Sequence, residues 1–84
     1  MEKETAIIIF NIKRRNVSVD LEVPLFITAN ELVQALNAAY DLGIDITDIK
    51  NCYLKAERPI ALLRGNKTLA QFGIRNGSII NFTE

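Results

Sequence analysis

Few residues in this chain could do covalent or metal chemistry. It has one cysteine, Cys52, and no histidine. Without an imidazole there is no ready base to take the Cys52 proton, and no second thiol exists to resolve an oxidised sulfur. Cys52 therefore reads as a small strand residue. A chain that cannot close an internal disulfide suits a reducing compartment. Asp41, Asp45 and Asp48 are the acids that could suggest a calcium loop. Their spacing does not match the alternate-residue ligands of an EF-hand, and no glutamate stands at the closing position. The expectation is no metal, no cofactor and no catalytic residue, so the protein is read as a non-enzyme.

Charge narrows the partners. Ten bases balance ten acids, for a net charge of +0. That argues against a strongly basic nucleic-acid binder. Tyr53 is the one evident aromatic for an RNA stacking platform, where such readers carry two or three. The balance hides an asymmetry. Residues 16–49 hold Asp20, Glu22, Glu31, Asp41, Asp45 and Asp48 and no base. Residues 50–84 hold Lys50, Lys55, Arg58, Arg64, Lys67 and Arg75 against Glu57 and Glu84. This is either an uneven solvated surface or an acidic and a basic side that orient a partner. Lys13, Arg14 and Arg15 make a compact basic turn. They form a solvated tip, a partner contact, or a weak attraction to an anionic membrane. Three bases supply at most about 3 kcal/mol there, short of stable anchoring.

These residues must be positioned by one small domain. The chain has 84 residues and 9.4 kDa, with 49% hydrophobic residues. That is enough for one core and too little for two. A single domain over 1–84 is expected, with residues 1–4 as a frayed start. The apolar run Ala6–Phe10 is too short for a signal-peptide core or a membrane span, so a cytoplasmic protein is expected. Thr5 to Lys13 reads as a strand apolar on both faces, the mark of an interior strand. Val17, Val19, Leu21 and Val23 alternate with polar residues, giving a strand with one wet face. A short connection joins them into a hairpin, and pairing Ile12 with Val17, Phe10 with Val19 and Ile8 with Leu21 keeps all six on one face.

Pro24 ends the second strand. Thr28 and Glu31 have the spacing of a capping box, and Ala29, Leu32, Val33, Leu36 and Tyr40 make one buried helical stripe. Gly43 is placed to stop that helix after Leu42. Ile44 and Ile46 are expected to tuck under the sheet. Strands follow at Cys52–Ala56, Ile60–Leu63 and Ser78–Thr83, with a helical turn capped by Thr68 between the last two. The fold class is α+β: a mixed sheet of four to five strands with one main helix on one face, in ββαβββ order. The expected core is Ile8, Phe10, Ile12, Val17, Val19, Leu21, Val23, Leu32, Leu36, Leu54, Leu69, Ile74, Ile80 and Phe82.

That order resembles the β-grasp of ubiquitin-like proteins, and several segments carry the likeness. Val19-Asp20-Leu21-Glu22-Val23 resembles the second strand of ubiquitin. Thr28, Leu32 and Leu36 match its helix cap and core spacing. Lys67 to Ile74, followed by Ser78 to Phe82, is similar to its Thr-Leu-Ser-Asp-Tyr-x-Ile turn and last strand. The likeness covers about residues 5–83. Within the superfamily the chain resembles the YukD/EsaB family of bacterial type VII (ESX/WXG100) secretion systems. The shared features are its size, the helix position, Leu62-Leu63 before a polar turn, and the segment from Phe72 to Phe82. The resemblance implies a cytoplasmic accessory or regulatory component that acts by binding protein, including a membrane-embedded secretion subunit.

One departure separates it from ubiquitin and the sulfur carriers. Those proteins act through an exposed Gly-Gly whose carboxylate is activated, glycine passing a tight channel without a Cβ clash. Here the sequence reads Asn81-Phe82-Thr83-Glu84. Conjugation and sulfur-carrier chemistry are therefore not expected, and exposing Gly77 would remove a core strand. The expected site is the open face of the sheet instead. If Ile8, Phe10, Ile80 and Phe82 face the helix, then Ile7, Ile9 and Ile79 face away, joined by Tyr53 and Lys55 in one patch. Burying the three isoleucines would supply roughly 5–8 kcal/mol of gross hydrophobic free energy. They serve strand propensity alone, or they form a docking face for a partner, with Lys13, Arg14, Arg15 and Lys55 orienting it. The alternative occupant is a second copy, making a structural homo-oligomer.

Overall fold

A computed structural model describes residues 4–83, apart from the side chain of Ile49. Residues 1–3 of the expected frayed start, and Glu84, lie outside the described residues. Glu4 is already held, its carbonyl accepting from the Leu25 N–H at 2.9 Å.

Five strands form one sheet. β1 (Thr5–Ile12) and β2 (Val17–Pro24) make the hairpin, α1 (Ala29–Tyr40) follows, and then come β3 (Leu54–Glu57), β4 (Ala61–Leu63), the short α2 (Leu69–Phe72) and β5 (Ile79–Phe82). The spatial order is β2-β1-β5-β3-β4. β1 and β5 run parallel and the other neighbours antiparallel. The ββαβββ reading is met, with α2 as the expected extra turn. The hairpin register is the one the apolar alternation requires: Ile8 opposite Leu21, Phe10 opposite Val19, Ile12 opposite Val17.

The core lies on one side of the sheet. Ile8, Phe10, Ile12, Leu54, Leu63 and Ile80 are essentially inaccessible, and Leu32, Val33 and Leu36 of α1 close over them. Val17, Val19 and Leu21 are only half-buried, contrary to the sequence reading, because β2 is an edge strand with a neighbour on one side only. Leu42, Cys52 and Ala56 belong to the core as well.

Both helices open on capping boxes. Thr28 Oγ accepts from the Glu31 N–H and Glu31 accepts from the Thr28 N–H; Thr68 and Gln71 repeat the arrangement. Each box satisfies two N–H groups that a helix start leaves unpaired. The two starts lie side by side, with Leu69 N–H bonded to Ile27 O and Ala29 N–H to Lys67 O.

The end of α1 differs from expectation. The helix stops at Tyr40, and Asp41 rather than Gly43 makes the left-handed reversal, at φ 53. Leu42 is buried, so the chain must turn before it. Ile44 is half-buried and tied to Asn37 by two hydrogen bonds, of 2.9 and 3.0 Å. Ile46 is not tucked away but 49% exposed, because the Asp45–Thr47 turn swings it outward. β3 and β4 are shorter than predicted. A 3₁₀ turn at Ile49–Asn51 delivers Cys52 before pairing begins, and Ile60 is left in the turn after the cis Arg58–Pro59 bond.

Candidate functional site

α1 covers one face of the sheet and leaves the other open, so alternation along each strand decides what the open face presents. Ile9 and Ile79 are direct cross-strand neighbours on β1 and β5. Both are half-buried, and Ile7, one step along β1, is 54% exposed. The three isoleucines therefore do form one apolar group on the uncovered side. They are flanked by Asp20 and Glu22 of β2, opposite Ile9 and Ile7, and by Glu57 of β3, opposite Ile79.

Tyr53 does not join them. Along the next row of the open face stand Ser18, Asn11, Asn81, Lys55 and Leu62 in register. This row is polar at its centre. Asn11 Nδ2 donates to Asn81 Oδ1 at 2.8 Å, and Asn81 Nδ2 donates to Glu57 Oε2 at 2.5 Å. Asn81 is only 5% exposed although it points to the open side. Tyr53 lies beyond that row, about 13 Å along the strand direction from the level of Ile79. The single patch of the sequence reading is thus two regions separated by an amide–carboxylate chain. The pattern Ile79-Ile80-Asn81-Phe82 contained the signal: a polar residue in the strand that the topology makes central.

Tyr53 instead lines a hollow of about 330 Å³ with Ile44, Asp45, Asn51, Lys55 and Asn81. Lys55 also borders a shallower groove with Glu57, Ile60 and Leu62. Ile60 and Leu62 are exposed apolar residues that the sequence reading placed in a strand and gave no role. Leu62 is exposed because β4 is the other sheet edge, and Ile60 because it lies in the turn before β4.

The basic turn divides as well. Lys13, Arg14 and Arg15 form a 3₁₀ turn after β1, closed by Asn16 in the left-handed region at φ 55. Arg15 is committed to the fold. Its guanidinium donates to Tyr40 O at 2.5 Å and to Asp41 O at 2.6 Å, at the end of α1. No base of α1 itself occupies its last turn, so Arg15 supplies the positive charge that a helix C-terminus favours. Arg15 therefore points toward the helix end rather than the open face. Lys13 and Arg14 are exposed on the turn.

The candidate chemistry residues hold structural positions. Burial pushes the Cys52 thiol pKa up, and the carboxylates of Asp45 and Asp48 add to it, so the thiol stays protonated. Asp45 accepts from the Thr47 hydroxyl and N–H, and Asp48 accepts from Asn51 Nδ2. Among the described residues no group of three or more His, Cys, Asp or Glu side chains could hold a metal ion, and no helix is long and apolar enough to cross a membrane.

Comparison with known structures places the architecture. The C-terminal ubiquitin-like domain of mouse tubulin-specific chaperone e matches with a TM-score of 0.73 at 11% identity, over 96% of this chain and 87% of that one. The ubiquitin-like domain of tubulin-binding cofactor B matches at 0.71 and 14% identity, over 95% and 89%. The ubiquitin-like domain of Plasmodium falciparum Dsk2 matches at 0.60 and 12% identity, over 93% and 97%. At such identities the likeness is one of fold. A search of curated protein sequences gave no match. The family model for the WXG100 protein secretion system (Wss) protein YukD matches residues 7–81, from β1 to β5. The chain belongs to the YukD family, ubiquitin-like β-grasp proteins of the WXG100, or type VII, secretion system.

Proposed function

We propose that this domain is a non-catalytic protein-binding module of the secretion system, docking a partner on the open face of its sheet. The observation that carries the reading is the pairing of Ile9 with Ile79, beside an exposed Ile7, on the face that α1 does not cover. Apolar side chains grouped on an uncovered sheet face are the kind of surface a partner buries. Asp20, Glu22 and Glu57 around them supply polar rim contacts that select among partners. Tyr53 and Lys55 form a second contact region beyond the Asn11–Asn81 row, with Lys13 and Arg14 nearby as orienting charges. Arg15, tied to the end of α1, is left out of the docking set. A membrane-embedded subunit of the secretion machine is the partner this reading favours, which would hold the domain at the cytoplasmic face of the membrane.

The test is an affinity capture from detergent-solubilised membranes of the native cell, analysed by mass spectrometry. Tagged wild-type protein should retain secretion-machine subunits, and Ile9→Glu, with its fold confirmed by circular dichroism, should lose them. Equal retention by a folded Ile7→Glu/Ile9→Glu variant would remove the docking face from the mechanism.

A further inference from the structure

The two edges of the sheet carry opposite charge. At one edge, β2 presents Asp20 and Glu22, both exposed, and the chain from 16 to 49 holds no base. At the other, β4 is bracketed by Arg58 and Arg64, both exposed, with no acid between them. Glu57, next to Arg58, keeps its charge while accepting from Asn81, as Glu22 does while accepting from the Thr5 hydroxyl at 2.7 Å. Asp20 and Glu22 thus stand on one edge and Arg58 and Arg64 beside the other, because the strand order β2-β1-β5-β3-β4 sets β2 and β4 at opposite sides of the sheet.

The basic edge is also apolar. Leu62 stands opposite Lys55 and so belongs to the open side, and it is 41% exposed. Ile60, in the turn before β4, borders the same groove as Leu62 and is 93% exposed. Natural sheet edges are commonly blunted by short strands, charges and proline; β4 has only three residues with Pro59, Arg58 and Arg64 beside it, yet it leaves Ile60 and Leu62 uncovered.

Charge then selects among the ways of joining two copies edge to edge. β2 against β2 sets Asp20 and Glu22 against the same acids. β4 against β4 brings Arg58 of one copy toward Arg64 of the other. β2 against β4 sets acids against arginines. Direction agrees: β4 runs parallel to β1 and β2 antiparallel to it, so β4 runs antiparallel to β2. A second copy laid alongside in the same orientation offers the antiparallel strand that a ladder prefers.

We propose that copies of this chain associate head to tail, β4 of one along β2 of the next. In the antiparallel register that centres the contact, Leu62 and Ile60 stand opposite Asp20 and Glu22, covered by their side chains, and Arg64 and Arg58 reach the same two acids along the diagonals. The contact is heterologous, so the first copy keeps a free β2 and the last a free β4, and growth is open-ended. Sheet twist makes the row helical rather than flat. The isoleucine group Ile7, Ile9 and Ile79 remains uncovered and repeats along the row, while Asp20 and Glu22 serve both the edge contact and the rim of that face. β4 offers only three residues, Ala61–Leu63, which makes each contact weak and visible at high protein concentration and low salt.

Sedimentation velocity on the full chain tests this. In about 50 mM salt the average mass should rise with concentration without levelling at a dimer. In about 1 M salt, where the screening length falls to about 3 Å, the protein should return to a monomer. Asp20→Lys/Glu22→Lys and Arg58→Glu/Arg64→Glu should each weaken association about tenfold or more on their own. An equimolar mixture of the two should recover it, since each supplies the edge that the other has reversed. Circular dichroism melts check that both remain folded. If either reversal unfolds, Ile60→Lys serves in its place and should suppress association alone. A wild type that stays monomeric in low salt, a closed dimer, association indifferent to reversal, or a mixture that stays monomeric overturns the proposal.

Discussion

The two faces of the sheet are built from adjacent residues of the same strands, yet they do opposite work. On β5, Ile80 is fully buried beneath α1 while Ile79, next to it, is half-exposed. On β1, Ile8 and Phe10 are fully buried, while Ile7 and Ile9 between and beside them are not. Residue type therefore does not separate stability from function here; parity does. The covered face is closed by apolar packing, with the buried Ser78 hydroxyl before β5 satisfied by the Arg75 N–H and the Arg58 carbonyl. The open face mixes an isoleucine group with a hydrogen-bonded row, so it is held in shape by polar contacts even where it is free to meet a partner.

The largest test of that division is a matched pair. Ile80→Ala should destabilise the domain by about 2–5 kcal/mol, since it opens a cavity in the central strand of a small core. Ile79→Ala should cost about 1 kcal/mol or less, because its side chain already meets solvent. Urea unfolding of both variants measures the difference. Equal losses would mean that the open face is as much a core as the covered one.

This parity was legible in the residues. The alternation Val17 to Val23 and the runs Ile7–Ile12 and Ile79–Phe82 fixed both the strands and the hairpin register. Thr28 with Glu31 marked the start of α1 for a local reason, a bond between side chain and backbone three residues apart. What the sequence concealed was long-range. β2 and β4 are edges because the sheet order is β2-β1-β5-β3-β4, with the last strand of the chain at the centre. No local pattern announces that order, and it is what leaves Val17, Val19 and Leu21 of β2 half-buried and Leu62 of β4 exposed. Arg15 was likewise read as a free charge, because its acceptors on Tyr40 and Asp41 lie 25 and 26 residues away. Asn81 marked a polar residue in the last strand, but its partner was hidden in the same way, since Asn11 is 70 residues away and meets it only through the parallel pairing of β1 with β5.

That row gives a second, smaller test. Asn81 accepts from one neighbour and donates to another, and it is buried on the face that should tolerate change. Asn81→Ala should cost about 1–3 kcal/mol by leaving the Asn11 amide and the Glu57 carboxylate without their partner. Double-mutant cycles with Asn11→Ala and Glu57→Gln should show coupling, because the three side chains form one chain. A loss at Asn81 no greater than that at Ile79 would mean the row is ornamental, and the open face would be one soft surface rather than two regions held apart.

The smallest effect lies at the rim of the open face, beside Tyr53. Asp45 is fully exposed, and the Thr47 hydroxyl and N–H hold its carboxyl below the ordinary 3.8. The folded value is thus lower than the unfolded one, so the contact stabilises the fold above about pH 3.8 and is lost as pH falls through the lower folded value. Asp45→Asn should therefore flatten the acid limb of the stability curve slightly, and the variant and wild type should converge at the lowest pH. Thermal melts from pH 7 to pH 2 read this directly. A wild-type curve that gains stability relative to Asp45→Asn on acidification would reverse the sign of the contact. It would also break the link between the Asp45–Thr47 turn and the hollow that Tyr53 shares with Lys55. An unchanged difference across that range would place the order of this rim in the Asn37–Ile44 bonds. Neutral groups make those bonds, so they do not titrate across that range.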